Sequence, residues 1–106
     1  MIDPTDRWTT DDSSDLYDVP RWGKGYFSVG QNGNLFVHPD RRSDRSLDLR
    51  SLIDGLVQQE LDLPILVRFN GILRNQLKEI HDVFQKAIEE HEYQGQYCCV
   101  YPIKVN

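Results

Sequence analysis

The residues with the most chemical potential stand together at the end of the sequence, in Tyr97-Cys98-Cys99-Val100-Tyr101-Pro102-Ile103-Lys104-Val105-Asn106. One lysine sits in a run of β-branched and aromatic residues. Burial in such a run disfavours the ammonium form and lowers its pKa. The neutral amine that results can attack a carbonyl and hold an aldehyde as a Schiff base. The run stops two residues after the lysine with no cap, turn or polar tail, so the chain reads as the front portion of something longer. Other reactive side chains are less telling. Cys98 and Cys99 are adjacent, and neighbouring cysteines rarely close a disulfide; two thiols alone do not complete a zinc site. They are expected to be buried strand thiols in a reducing compartment. His38, His81 and His91 show no ligand spacing and are expected to be solvated or capping. Tyr101 reads as a core aromatic. Arg68 leaves two roles open, facing a site or making a structural ion pair.

The elements that must position Lys104 can be read from periodicity. Residues 1–16 are polar and acidic, with Thr9-Thr10-Asp11-Asp12-Ser13-Ser14-Asp15, and are expected to be a disordered leader. Residues 17–47 hold a β-hairpin segment and a charged loop. Asn32-Gly33 between two apolar runs predicts strands near 25–30 and 34–38, and Pro39 ends the second. Asp40-Arg41-Arg42-Ser43-Asp44-Arg45 reads as a solvated connection. Residues 48–106 alternate helix and strand. Leu49, Leu52, Ile53, Leu56 and Val57 share one face of a helix from about Asp48, its N-cap, to Leu61. Ile65-Leu66-Val67-Arg68-Phe69 reads as a strand after Pro64. Leu73, Leu77, Ile80, Phe84, Ala87 and Ile88 predict a second helix from about Ile72 to His91, with Gly95 as its C-terminal punctuation. A last strand follows over 97–105. Strand, helix and strand in that order predict a right-handed parallel crossover, with Lys104 at the carboxyl end of its second strand. Functional groups of parallel α/β folds collect at such ends.

Composition bounds the reading. The 106 residues suit one small domain, with 39% hydrophobic and 27% charged residues. The net charge of −5 argues against a nucleic-acid partner, which needs a basic face. No apolar run reaches the length of a membrane span, and the first residues carry no basic and apolar signal segment. A cytoplasmic location is therefore expected, with no membrane partner.

The segment Tyr101-Pro102-Ile103-Lys104-Val105-Asn106, preceded by His91-Glu92-Tyr93-Gln94-Gly95, resembles the biosynthetic arginine decarboxylase family. Arg21-Trp22-Gly23 with Gly25-Tyr26-Phe27 resembles the family's early segment. Leu63-Pro64-Ile65-Leu66-Val67-Arg68-Phe69, followed by Ile72-Leu73, resembles its strand ending in Arg-Phe. The resemblance covers essentially everything from Tyr17 onward. Cys98-Cys99 and Asn70-Gly71 depart from the family's usual residues.

That resemblance implies the N-terminal portion of a pyridoxal-phosphate-binding (β/α)8 barrel of the alanine-racemase type, here incomplete and preceded by a hairpin segment. It implies that Lys104 is both the catalytic and the cofactor-binding residue, holding pyridoxal 5'-phosphate as a Schiff base. The substrate would be L-arginine, losing its carboxylate as carbon dioxide to give agmatine for polyamine and spermidine synthesis. The family is also associated with magnesium, and no acidic cluster in this sequence is assigned to it. The parent would be a homo-oligomer, and the 106-residue piece would be inactive alone. Two other readings stand beside this one. One is a related pyridoxal-phosphate decarboxylase or racemase acting on another amino acid. The other is a small, non-catalytic α+β interaction domain.

Overall fold

The computed structural model describes residues 6–104. Helix α1 spans Thr10–Leu16 and α2 spans Val19–Gly23. Strands β1 (Phe27–Val29), β2 (Leu35–Val37) and β3 (Leu47–Asp48) follow, then helices α3 (Leu49–Gln58) and α4 (Asn70–Glu90). The protein is a small α/β chain whose sheet is antiparallel, in the order β1-β2-β3. It divides after Ile72 into two compact units, with α4 beginning in the first and continuing through the second.

The hairpin forms where the Asn-Gly signal placed it. Phe27 faces Val37 and Val29 faces Leu35. The turn is built differently from a two-residue loop with positive φ at both central positions. Gly30 N–H donates to the Asn34 carbonyl at 2.8 Å, and Gly33 takes φ +83°. Asn32 contributes through its side chain, accepting from Asn34 N–H at 3.0 Å. The first unit's core gathers where α2 and the chain before β1 meet β2. Val37 has no solvent exposure, and Val19 and Tyr26 are nearly as buried. Trp22 and Phe27 pack with ring centroids 5.3 Å apart, and the Arg41 guanidinium lies 4.4 Å above the Tyr26 ring.

Residues 10–16 are helical, which corrects the expectation of a disordered leader over 1–16; residues 1–5 lie outside the described residues. The helix buries none of its own side chains, so it depends on local hydrogen bonding and on contacts with α2 and β1. Thr9 is its N-cap and forms a capping box with Asp12. Asp12 N–H donates to Thr9 Oγ1 at 3.2 Å, and Thr9 N–H donates to Asp12 Oδ2 at 2.8 Å. Asp11 and Asp12 also place negative charge at the positive end of the helix dipole.

Asp48 caps α3 as expected, accepting from the N–H groups of Arg50 and Ser51 at 3.0 and 3.3 Å. Its two oxygens also accept from the side-chain amides of Asn32 and Asn34, at distances of 3.0 to 3.2 Å. The Asn34 amide, with smaller contributions from Ser51, Asn32 and Arg50, holds this carboxyl below its ordinary pKa. Strand β3, absent from the expected elements, exists because Leu47 and Asp48 pair with Val37 and Phe36.

Both long helices stop earlier than their apolar periodicity predicts, and by the same device. Glu60 N–H donates to the Val57 carbonyl and Leu61 N–H to the Leu56 carbonyl, with Glu60 at φ +64°. At the end of α4, Glu92 N–H donates to the Glu89 carbonyl and Tyr93 N–H to the Ile88 carbonyl, with Glu92 at φ 51°. These are Schellman caps in which glutamate occupies the left-handed position that glycine usually takes. Gly95 does not end α4. A Cβ added at Gly95 would stand 2.3 Å from the Tyr93 ring.

The expected parallel pair, 65–69 with 97–105, is not formed among the described residues. Neither segment makes a ladder, although Ile65, Val67 and Phe69 are half-buried while Leu66 and Arg68 are exposed. The alternation is that of a strand, but a strand requires a hydrogen-bonded neighbour.

Two glycines give opposite expectations. A Cβ at Gly30 would stand 2.2 Å from the Phe36 ring. Gly30→Ala should therefore destabilise the chain by roughly 1–3 kcal/mol through overpacking. Gly55, inside α3, has open space around its Cβ position, so Gly55→Ala should stabilise by about 0.5–1 kcal/mol. Urea midpoints of the two variants should move in opposite directions, and a shift of the same sign for both would contradict the packing described. The Asp48 carboxyl sets a second expectation. A carboxyl depressed in the folded state stabilises it fully above the ordinary carboxylate pKa, and that contribution is lost as pH falls through the folded value. Asp48→Ala should thus lower the urea midpoint at neutral pH and flatten its decline on acidification. Parallel curves for variant and wild type would rule Asp48 out as the source.

Candidate functional site: the Lys104 segment

The second unit consists of most of α4 and the chain that follows it. Phe84 and Tyr97 stack with centroids 4.3 Å apart and planes 3° from parallel, and His81 meets the edge of Tyr97 at 6.1 Å. Phe84, Ala87, Ile88, His91, Tyr93 and Tyr97 line an open apolar groove of about 320 Å³. Along α4 Lys78 pairs with Asp82 and Lys86 with Glu90, each four residues on. The Asp82 carboxylate, hydrogen-bonded to Lys78, raises that ammonium's pKa.

Lys104 lies beyond this anchor, in a bend and exposed. Its neighbours are open too: Tyr101 is 74% exposed and Ile103 86%. The structure therefore corrects three expectations. Lys104 is not buried, Tyr101 is not a core aromatic, and Cys98 and Cys99 are exposed free thiols. One cause accounts for all three. The side chains of 98–104 reach burial only within a sheet, and no ladder forms around them here. Val105 lies outside the described residues. Arg68 is exposed and belongs to the first unit. Among the described residues no group of three or more histidine, cysteine, aspartate or glutamate side chains could hold a metal ion. None of the described helices is long and apolar enough to cross a membrane.

One arrangement was not legible in the sequence. His38 is half-buried at the end of the hairpin, its Nε2 2.7 Å from Ser28 Oγ and its Nδ1 3.3 Å from the Arg42 carbonyl. A ring protonated at Nδ1 donates to that carbonyl and accepts the Ser28 hydroxyl at Nε2. The pair ties β1 to the end of β2. Residue types ten apart in sequence give no periodic signal for it, since the hairpin register alone brings them together.

No protein-family model matches the chain. It is 54% identical over 100 residues, 94% of its length, to the biosynthetic arginine decarboxylase of Rhodopirellula baltica. It is 42% identical over 101 residues to that of Geobacter sulfurreducens, and 37% identical over 100 residues to that of Prochlorococcus marinus subsp. pastoris. All three of these relatives are named biosynthetic arginine decarboxylase. The chain spans only about 15% of the length of these curated relatives, while they match it along nearly all of its own. Resemblance to arginine decarboxylases read from three short segments thus extends over 94% of the sequence.

Exposure makes a direct prediction for the 106-residue chain. Under limiting acetylation in native buffer, Lys104 should react at a rate comparable to Lys86, whose side chain is 76% exposed. Lys78 should react more slowly, because its pairing with Asp82 keeps the amine protonated. Peptide mapping that finds Lys104 protected relative to Lys86 would mean that the segment is packed.

Proposed function

We propose that this chain is the lysine-bearing portion of a biosynthetic arginine decarboxylase, and that Lys104 is the residue that holds pyridoxal 5'-phosphate in the complete enzyme. The observation that carries this reading is the similarity to arginine decarboxylases along 94% of the chain, joined to the lysine-centred segment Tyr101–Asn106. The substrate is then L-arginine and the products agmatine and carbon dioxide. The parent fold is an alanine-racemase-type (β/α)8 barrel. In that setting 65–69 and 97–105 are its strands, and the alternating burial of 65–69 is what a strand awaiting neighbours should show.

The residues of this chain do not by themselves make a cofactor site. Lys104 supplies an amine of the right type and is accessible. Around it, Tyr101, Pro102 and Ile103 are exposed. Positioning contributes much of an enzyme's rate, and a lone exposed amine positions nothing.

Two measurements test the reading. In the full-length enzyme, borohydride reduction with the cofactor bound should place the phosphopyridoxyl label on Lys104; recovery on Lys24, Lys78 or Lys86 instead would sink the assignment. The 106-residue chain alone should form no more agmatine from arginine than its Lys104→Ala variant, and turnover above that control would show that the piece is a complete enzyme.

A further inference from the structure

The Ser28–His38 pair has no part in the reading of Lys104. The hairpin register sets Ser28 opposite Phe36, and His38 follows Phe36 by two residues, so the two side chains share one face of the sheet. Ser28 Oγ lies 2.7 Å from Nε2 of the ring. The other ring nitrogen, Nδ1, lies 3.3 Å from the Arg42 carbonyl, which can only accept. Nδ1 is therefore the protonated nitrogen, and Nε2 carries the lone pair that faces the Ser28 hydroxyl. The orienting carbonyl is itself held. It accepts from Arg45 N–H at 3.2 Å, and Arg42 N–H donates to Asp40 Oδ1 at 3.2 Å. The His38 backbone is fixed as well, its N–H donating to the Tyr26 carbonyl at 2.7 Å. A hydroxyl on a neutral imidazole whose far nitrogen is oriented by a third group is the arrangement that activates serine as a nucleophile.

We propose that Ser28 is an activated nucleophile that takes an acyl group from activated esters, with His38 as its base. Oγ attacks the carbonyl carbon while its proton passes to His38 Nε2. The Oγ–C bond forms and the bond from that carbon to the leaving alkoxide breaks. The proton departs with the alkoxide as the free alcohol, which returns His38 to its neutral form. The chain is left as an ester of Ser28, and no oxidant or reductant is required. The pair lies in the hairpin and does not depend on the segment 97–105, so a Lys104→Ala chain should react as the wild type does.

The test is labelling of the 106-residue chain in native buffer with a fluorophosphonate, read by intact mass and peptide mapping. Its phosphorus takes the place of the ester carbon, and fluoride is the leaving group. The expected result is one label per chain, on Ser28, although Ser43, Ser46 and Ser51 are more exposed. Urea should abolish the labelling, because the hairpin register alone brings the pair together. His38→Gln should slow it about a hundredfold or more, by removing the base. A native chain with no label on Ser28 would overturn the proposal, as would equal labelling of the exposed serines. Labelling of Ser28 that is undiminished in urea, or in His38→Gln, would overturn it too. The comparison of native and denatured wild type needs no variant to fold.

Discussion

The first unit depends on the carboxylate of Asp48. Asn32 and Asn34 come from the hairpin turn, and the N–H groups of Arg50 and Ser51 open α3; all four donate to the same two oxygens. The residue is also the last of β3, paired with Phe36. One side chain thus fixes where the sheet ends, where the helix begins and how the turn folds back. The arrangement suits a carboxylate, which offers lone pairs for several donors. Asn32 answers Asp48 while also accepting from Asn34 N–H, so the turn is ordered from both directions.

The remaining structure follows from how much apolar surface each part can cover. Around the hairpin, Val37, Tyr26 and Val19 leave solvent almost entirely. On α4 the amphipathic face stays open, with Leu73 and Phe84 about half exposed. A helix gains most of its stability from packing its apolar stripe, and in α4 that packing is partial, with the Tyr97 ring stacked on Phe84.

Much of this was legible in the sequence, and the exceptions share a physical character. Helices α3 and α4 announced themselves through repeats at three and four residues, and Asp48 as a cap through its position before Leu49. The hairpin was legible in Asn32-Gly33. Helix α1 was missed because apolar content was the criterion, whereas Thr9 and Asp12 stabilise it by hydrogen bonding; the Thr-x-x-Asp spacing was the available signal. The helix ends were misplaced because glutamate gives no warning that it will take a left-handed conformation. The strands at 65–69 and 97–105 have strand composition, but their pairing needs partners that local sequence cannot supply. Lys104 was singled out by its neighbours' residue types, and its exposure goes with the unpaired backbone of its segment.

The hairpin turn carries its own clock. Asn followed by Gly is the sequence most prone to spontaneous loss of ammonia, because a glycine leaves the backbone nitrogen unhindered for attack on the side-chain amide; asparagine is among the residues that heat destroys first. At Asn32 that reaction would turn a donor 3.1 Å from Asp48 into a second carboxylate. Two like charges at that spacing repel, and the contact joining the turn to α3 reverses from attraction to repulsion. Of the two Asn-Gly steps in the chain, Asn32-Gly33 and Asn70-Gly71, the first is the one whose loss of ammonia would strike the junction at Asp48, and the exposed position of Asn32 leaves it open to water.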